Sequence, residues 1–383
     1  MKKIVFVCYG LGIGGIERCL VNLINELDDS LYQIDVLPLN PEYELLGELT
    51  KKINLLNTFK YSMNTTETYR QYKNEKNIVK RVAKISKYIL FRLKNKYGTK
   101  PWCIFTKLEG QYDIAVAYSQ NGFAPYYVID KIEATKKYMW YHNGDYECNS
   151  KKYKLDLEYY EKYDNLIAVS TDCKKILEKY FPKIKDKIIV MNNIVDIKRI
   201  KRLSNANEVI EIDKRYFSIL TVGRLTKEKG AELAVNTCKK LIDNGFNIKW
   251  YWVGDGNELN YIQNLINKLG IEKSFYLLGN KLNPYIYMKK CDIYVQTSKY
   301  EAYCTTTNEA RILNKPIITT DVGGMRDQFV DKETALIVKE NNLYDAIKVL
   351  IEDKGYREKL MFNLKRKNYK FNEYIKQYDN LFS

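Results

Sequence analysis

Two glutamates eight positions apart, Glu301 and Glu309, bracket much of the segment Ser298–Ala310, SKYEAYCTTTNEA. A carboxylate accepts hydrogen bonds from two neighbouring hydroxyls at once, so each suits a hydroxyl-rich ring. The apolar run Ile293–Thr297 reads as a buried strand, after which the chain turns and Thr305 offers an N-cap. A helix from Thr306 to Leu313 would then present its first free N–H groups and the positive end of its dipole as a seat for an anion. Hydroxyl acceptors around an anion seat fit a ligand with a central diphosphate and a polyhydroxylated ring at each end, the shape of a nucleotide-sugar. The same residues also fit an ordinary strand-to-helix junction carrying two solvated glutamates.

Cations that could face such a diphosphate stand after another strand end. Phe217–Val222 runs into Gly223-Arg224-Leu225, with Lys229 and Gly230 just beyond. Arg224 would act as a fork and Lys229 as a point charge, although a single surface cation carries little information. Lys249–Val253 likewise delivers Gly254-Asp255-Gly256, a turn at a strand's carboxyl end. His142 is the only histidine and follows the strand Lys137–Tyr141. Without partners it cannot form a metal site, but strand carboxyl ends are where open α/β sheets hold ligands. Near the start, Gly10, Gly12 and Gly15 match G-x-G-x-x-G, the dinucleotide fingerprint and the case for a dehydrogenase. That fingerprint requires an acid at the end of the second strand, and Gln33–Asn40 ends in Pro38, Leu39 and Asn40. Gly14 and Gly15 would instead let backbone N–H groups approach a phosphate or a sugar, or serve only a tight strand-to-helix turn.

Alternating strands and helices must position these residues. Ile4–Cys8, Tyr112–Tyr118, Lys137–Tyr141, Leu166–Ser170 and Ile188–Met191 read as strands of a first half. Phe275–Leu278, Pro316–Thr320 and Ala335–Val338 complete a second. Leu20, Leu23, Ile24 and Leu27 give the first helix an apolar face, and helices are expected over 342–353 and most of 355–383. A chain of 383 residues is too long for one comfortable core, and two domains of roughly 150 to 200 residues follow. Polar and charged residues from Lys198 to Lys214 read as their connection.

A hydrophobic content of 45% supports globular order, and a formal charge of +16 points to an anionic partner. Arg70 to Lys100 holds eleven Lys or Arg against Glu75 alone, with Ile78, Val82, Ile85 and Ile89 at helical spacing. Such a helix lies on an anionic bilayer, or buries its stripe in a core with its charges solvated. No nucleic-acid motif accompanies it. Eight cysteines without a C-x-x-C pair indicate neither a zinc site nor a disulfide framework, in keeping with a reducing cytoplasm. The basic and apolar start resembles a signal peptide, but glycines break the run and Glu17 and Arg18 follow, so a first strand and its loop are expected. No apolar window reaches the length of a membrane span.

Taken in order, several short motifs resemble glycosyltransferase family four, retaining enzymes of the GT-B fold. They are GGIE at Gly14–Glu17, GRL at Gly223–Leu225 with Lys229-Gly230, VGDG at Val253–Gly256, and Glu301 with Glu309, followed through by EARILNKPIITTDVGG. Each is weak alone, but their order and spacing cover nearly the whole chain. The resemblance implies an α/β architecture of two Rossmann-like domains facing across a cleft. Residues 1–197 would form an acceptor-side domain, 198–215 a linker, 216–366 the nucleotide-sugar-binding domain, and 367–383 a helix crossing back to the N-terminal domain. It also implies that Arg224 and Lys229 hold the diphosphate, Glu309 the ribose, and Glu301 with the backbone of Tyr303, Cys304 and Thr305 the donor sugar. Gly223, Gly254 and Thr306 join the donor site, His142 lies beside the transferred sugar, and Gly14 and Gly15 face the phosphates or the acceptor. Many members have Gly-Phe after the first glutamate where this chain has Ala302-Tyr303, a departure that bears on the fit of the donor sugar.

The activity implied is retaining transfer of a hexose from a nucleotide-sugar, expected to be UDP-linked. Its acceptor would be a glycan or lipid-linked saccharide of cell-surface polysaccharide or glycolipid synthesis. The expected location is the cytoplasm, peripheral on the inner face of the cell membrane through Arg70 to Lys100. No D-x-D triplet occurs in the sequence, so no metal is expected and the protein's own cations would neutralise the leaving group. No cofactor and no nucleic-acid partner are expected. A nucleotide-sugar epimerase of the same fold and an NAD-dependent dehydrogenase are the competing enzyme readings. A non-catalytic adaptor on membranes or nucleic acid would leave Glu301, Glu309, Arg224 and Lys229 without a task.

Overall fold

A computed structural model describes residues 1–57, 72–96, 100–146, 148, 150–210, 212–367 and 371–383. The chain divides into two units, Met1–Ile194 with Asn372–Ser383, and Val195–Phe371. The first begins β1 (Lys2–Cys8), α1 (Gly15–Glu26), β2 (Tyr32–Pro38), β3 (Ile53–Leu55), α2 (Ile78–Lys96) and β4 (Gln111–Ala117). It continues α3 (Ala124–Lys131), β5 (Glu133–Tyr141), α4 (Ser150–Tyr160), β6 (Asn165–Ala168), α5 (Thr171–Tyr180) and β7 (Ile188–Val190).

These seven strands pair in the order β3-β2-β1-β4-β5-β6-β7, all parallel. Parallel strands need crossovers that cover both faces of the sheet, and Ile4–Val7 of β1 and Ile114–Ala117 of β4 are accordingly buried apolar runs. Strand order reverses between β1 and β4, so the crevice at their carboxyl ends is where such a sheet takes a ligand. The glycine loop leaves β1 at that end, and His142 follows directly on β5. The short β3 is not predicted from the sequence, because three residues beside Lys51, Lys52 and Asn57 carry no readable period.

The second unit opens with α6 (Ile197–Ser204), β8 (Phe217–Val222), α7 (Ala231–Asp243), β9 (Ile248–Val253), α8 (Leu259–Leu269), β10 (Phe275–Leu277) and α9 (Tyr285–Lys290). It closes with β11 (Ile293–Gln296), α10 (Thr305–Ile312), β12 (Ile317–Thr320), α11 (Met325–Gln328), β13 (Leu336–Val338), α12 (Leu343–Glu352) and α13 (Lys354–Arg366). Its sheet runs β10-β9-β8-β11-β12-β13, again all parallel, and reverses between β8 and β11. Strand alternation sorts the core. Trp250, Trp252 and Ile219 pack with α7 and α8, while Tyr251, Val253 and Leu220 pack with α6, α9 and α10.

Both sheets agree with the α/β reading of two Rossmann-like units. One local expectation changes. Residues 197–204, read as the start of a polar connection, are a helix: Asp196 caps it by accepting the Arg199 N–H at 2.8 Å, and Ile200 is buried. Its four Lys and Arg residues mask an apolar row of Ile197, Ile200 and Leu203 at intervals of three. The chain after Lys354 is helical as expected, in α13 and then α14 (Phe371–Phe382). Residues 372–383 belong to the first unit, where Phe382 is fully buried with ring centroids 6.2 to 6.3 Å from those of Phe6, Tyr32, Tyr138 and Trp140.

Candidate active site

In the second unit, β11 ends in a run of buried polar residues, Gln296, Thr297 and Ser298. Buried polar groups persist only when they are paired, and these are. Tyr294 OH donates to Gln296 Oε1 at 2.8 Å, Gln296 Nε2 to Ser298 Oγ at 2.9 Å, and Ser298 Oγ to Glu301 Oε1 at 2.7 Å. Lys229 Nζ reaches the same Glu301 oxygen at 2.6 Å, closing a contact ion pair between two side chains 18% and 9% exposed. Burial opposes the Lys229 charge, but Glu301, then Cys304, offset it and hold the ammonium above its ordinary value. The sequence singles out Lys229 and Glu301 separately, and the fold joins them.

The helix α10 begins one residue earlier than the sequence suggests. Cys304, and not Thr305, is the N-cap, and no side chain makes a cap hydrogen bond. Thr307 Oγ1 instead donates to the Cys304 carbonyl at 2.8 Å and lies 2.7 Å from the Gln328 side-chain amide, turning inward from the helix start. An uncapped first turn keeps N–H groups directed at whatever anion approaches it. Burial first, and then Glu301, push the Cys304 thiol up to about 11, so it stays a neutral thiol. Tyr303 is buried with its hydroxyl held by Asn308 Nδ2 at 2.9 Å. The departure from Gly-Phe therefore brings a polar partner with it.

Glu309 sits on the buried side of α10, where its Oε1 accepts from Tyr285 OH at 3.1 Å. Arg199 Nη1 in turn donates to Tyr285 OH at 3.0 Å. Neither Tyr285 nor Arg199 is marked by a motif. The one signal for them is that α6 and α9 carry buried residues on the face of the sheet that α10 covers.

Arg224 extends into solvent, 72% exposed in its side chain, with Glu228 Oε1 at 3.5 Å. It is free to turn toward an incoming phosphate at little energetic cost, since exposed ion pairs contribute about 0 to 1 kcal/mol. Gly254 serves the backbone. Its φ of 138° is a conformation that favours glycine, and a Cβ there would overlap the Gly223 carbonyl oxygen. Gly223 N–H donates to the Val253 carbonyl at 2.9 Å, so the two strand-end turns are packed backbone on backbone.

In the first unit, His142 N–H donates to Gln120 Oε1 at 2.9 Å, and its Nε2 lies 3.1 Å from the Tyr118 carbonyl. A carbonyl only accepts, which assigns the proton to Nε2 and leaves Nδ1 as the acceptor nitrogen. Burial pushes the imidazole down to about 3, against the opposing effect of the Tyr118 bond, so it is neutral at ordinary pH. Gly14 caps α1 with the Glu17 carboxylate folded against it, and Gly15 has open space where a Cβ would stand. Gly10 and Gly12 pack against Glu42, whose carbonyl accepts from Leu11 N–H at 2.8 Å. A carboxylate against that loop is the wrong charge for a pyrophosphate, which disfavours the dinucleotide reading. Asp35, within β2, is buried and takes Tyr112 OH at 2.6 Å, so it does not serve as the ribose acid of that fingerprint either. Among the described residues, no group of three or more His, Cys, Asp or Glu side chains is arranged to hold a metal ion.

Residues 204–369 match the family model of glycosyl transferases group 1. An uncharacterized glycosyltransferase of Methanocaldococcus jannaschii is 33% identical over 210 residues, 51% of this chain and 52% of its own length. A second relative, from Campylobacter jejuni, is 26% identical over 371 residues and is covered, like this chain, to 94%. It is the N-acetylgalactosamine-N,N'-diacetylbacillosaminyl-diphospho-undecaprenol 4-alpha-N-acetylgalactosaminyltransferase. The chain thus spans about half of the first relative and nearly all of the second. Among solved structures, Anabaena HepE in complex with UDP-glucose superposes with a TM-score of 0.71 at 17% identity, covering 100% of this chain and 99% of that one.

Proposed function

We propose that the chain is a GT-B glycosyltransferase that transfers a sugar, with retention, from a nucleotide-sugar to a glycan or lipid-linked acceptor of polysaccharide or glycolipid synthesis, a reading that its two parallel sheets and the family match over residues 204–369 support. The observation that carries this reading is the Lys229–Glu301 pair beside the uncapped start of α10, with Glu309 farther along the same helix. A cation and free N–H groups stabilise negative charge that grows on a departing diphosphate. Carboxylates on either side accept from sugar and ribose hydroxyls. Lys229, Arg224 and the α10 start would stabilise the leaving group, and the departing phosphate would take the acceptor proton as the acceptor oxygen attacks from the same face. His142 in the first unit, neutral with Nδ1 as acceptor, is suited to receive a sugar hydroxyl and would not act as an acid. The UDP and UDP-glucose held by structural neighbours support a UDP-linked donor, and the diphospho-undecaprenol in the name of the Campylobacter relative supports a lipid-linked acceptor.

An anionic membrane surface is the natural place for such an acceptor. No helix among the described residues is long and apolar enough to cross a membrane. The helix α2 nevertheless carries Ile78, Val79, Val82, Ile89, Leu90 and Leu93 exposed by 46% to 78%. At 100° per residue these six share about a third of the helix circumference, opposite the buried Phe91 that anchors it on Phe105 and Phe123. Interleaved Lys and Arg complete a surface suited to lie on anionic headgroups, which favours the bilayer over a core for this stripe. The remainder of the basic stretch, residues 70–71 and 97–99, lies outside the described residues.

The test is a panel of UDP-, GDP- and dTDP-sugars screened for thermal stabilisation, with and without EDTA. One nucleotide class should raise Tm, and the gain should shrink in Lys229→Ala and survive chelation, because protein cations supply the charge. A panel without any stabilising member, or stabilisation that needs Mg²⁺ or Mn²⁺, would count against the proposed donor or against metal independence respectively.

A further inference from the structure

We propose that Tyr285 and Arg199 are positioning residues that aim Glu309, and that through them the site selects a ribose bearing both vicinal hydroxyls; the inference rests on Glu309 being the ribose acceptor. Three elements converge here: Arg199 stands in the first turn of α6, Tyr285 opens α9, and Glu309 lies within α10. The direction of the hydrogen bonds is set by chemistry. A guanidinium only donates, so Arg199 Nη1 must give its proton to the Tyr285 oxygen at 3.0 Å. The phenol has one proton of its own, and it goes to Glu309 Oε1 at 3.1 Å.

Fixing one oxygen of a carboxylate fixes the plane of both. Two neighbouring hydroxyls can be accepted together only when that plane faces them, and a carboxylate free to spin would accept them one at a time. Tyr285 and Glu309 are 4% and 7% exposed, so water competes poorly for the bond that orients them. Arg199 is itself fixed, its backbone N–H held by the Asp196 cap at 2.8 Å and its guanidinium 5.6 Å from the Tyr285 ring centroid. The polar pair Tyr285–Arg199 thus has a role that packing alone does not supply, since an apolar pair of the same volume would fill the space without a donor.

The experiment is calorimetric titration of UDP, GDP and ADP, each against its 2′-deoxy counterpart, into the full chain and its variants. The ratio of the two affinities is read within one protein, so general loosening of the site cancels. Unaltered protein should prefer the ribonucleotide about tenfold or more, the range for a hydrogen bond to a charged acceptor. Tyr285→Phe should weaken the ribo form and leave the deoxy form unchanged, collapsing the ratio by several-fold. Arg199→Met should do the same in part, and Arg199→Lys, which keeps a donor, should recover most of it. Equal weakening of both forms in Tyr285→Phe, or an unchanged ratio, would overturn the positioning role. A preference that persists in Glu309→Gln, or that is absent from the unaltered protein for all three bases, would instead overturn the reading of Glu309.

Discussion

At the residue scale, charge in this site is shared before it is used. Lys229 keeps its proton because Glu301 offsets the cost of burial, and the pair is held at 2.6 Å. Replacing Glu301 by Gln would remove the main group that opposes burial and lower the Lys229 pKa. Turnover of Glu301→Gln should therefore fall on the alkaline side at a lower pH than in the unaltered enzyme, a shift visible in a kcat against pH profile. The sign for stability is the same: a lysine raised on folding stabilises below its unfolded value and loses that contribution as pH rises through its folded one. Lys229→Ala should lower kcat by about 10² to 10³, the range for removing one group that stabilises transition-state charge. A raised acceptor KM with normal kcat would contradict the diphosphate role. His142 has the opposite sign. Its folded value of about 3 lies below the ordinary 6.5, so its contribution to stability is present above about pH 6.5 and declines as pH falls toward 3. His142→Gln should show a smaller loss of Tm between pH 7 and 5, and the acid limb of kcat/KM should keep its midpoint. The residue types were legible in the sequence because motifs carry them. Their partners were not: Ser298, Tyr285 and Arg199 are ordinary in type and reach the site only through the fold.

At the element scale, most strands were readable because both sheets are parallel and their central strands are buried on two faces, which gives runs such as Ile4–Val7 and Ile114–Ala117 their apolar character. The short edge strand β3 and the basic helix α6 were not, one for want of length and the other because its charged residues outnumber its apolar row. The cap of α10 was missed by one residue, since a threonine beside a cysteine is the better cap by type and the chain uses the threonines to bond inward. Strand ends also carry a specific vulnerability. Gly254→Ala would force a Cβ onto the Gly223 carbonyl at a φ of 138°, and should cost about 1 to 3 kcal/mol or more. The check is urea unfolding, where the midpoint should drop with the slope unchanged. A midpoint equal to that of the unaltered protein would mean the turn relaxes freely.

At the scale of the whole molecule, a formal charge of +16 is distributed unevenly, and α2 concentrates it around an exposed apolar face. Replacing Val79 and Leu90 together by Asp should leave Tm unchanged within about 1 °C, since both side chains face solvent, while abolishing co-sedimentation with phosphatidylglycerol vesicles. Binding of the unaltered protein should weaken as salt rises. Vesicle binding that survives the double substitution would place the contact elsewhere. The route of the chain has a further consequence, for how the protein is made. Residues 372–383 belong to the first unit, and the second lies wholly between them and Ile194. A ribosome adds roughly 5 to 20 residues each second and releases the chain from its first residue onward. The second unit is therefore complete in sequence before the first, and the ring cluster of Phe6, Tyr32, Tyr138 and Trp140 must wait for Phe382, which is synthesised only after the whole second unit. Birth order and assembly order are reversed, so a nascent chain halted before residue 372 would carry the whole sequence of the second unit and a first unit with its aromatic face still open to chaperones.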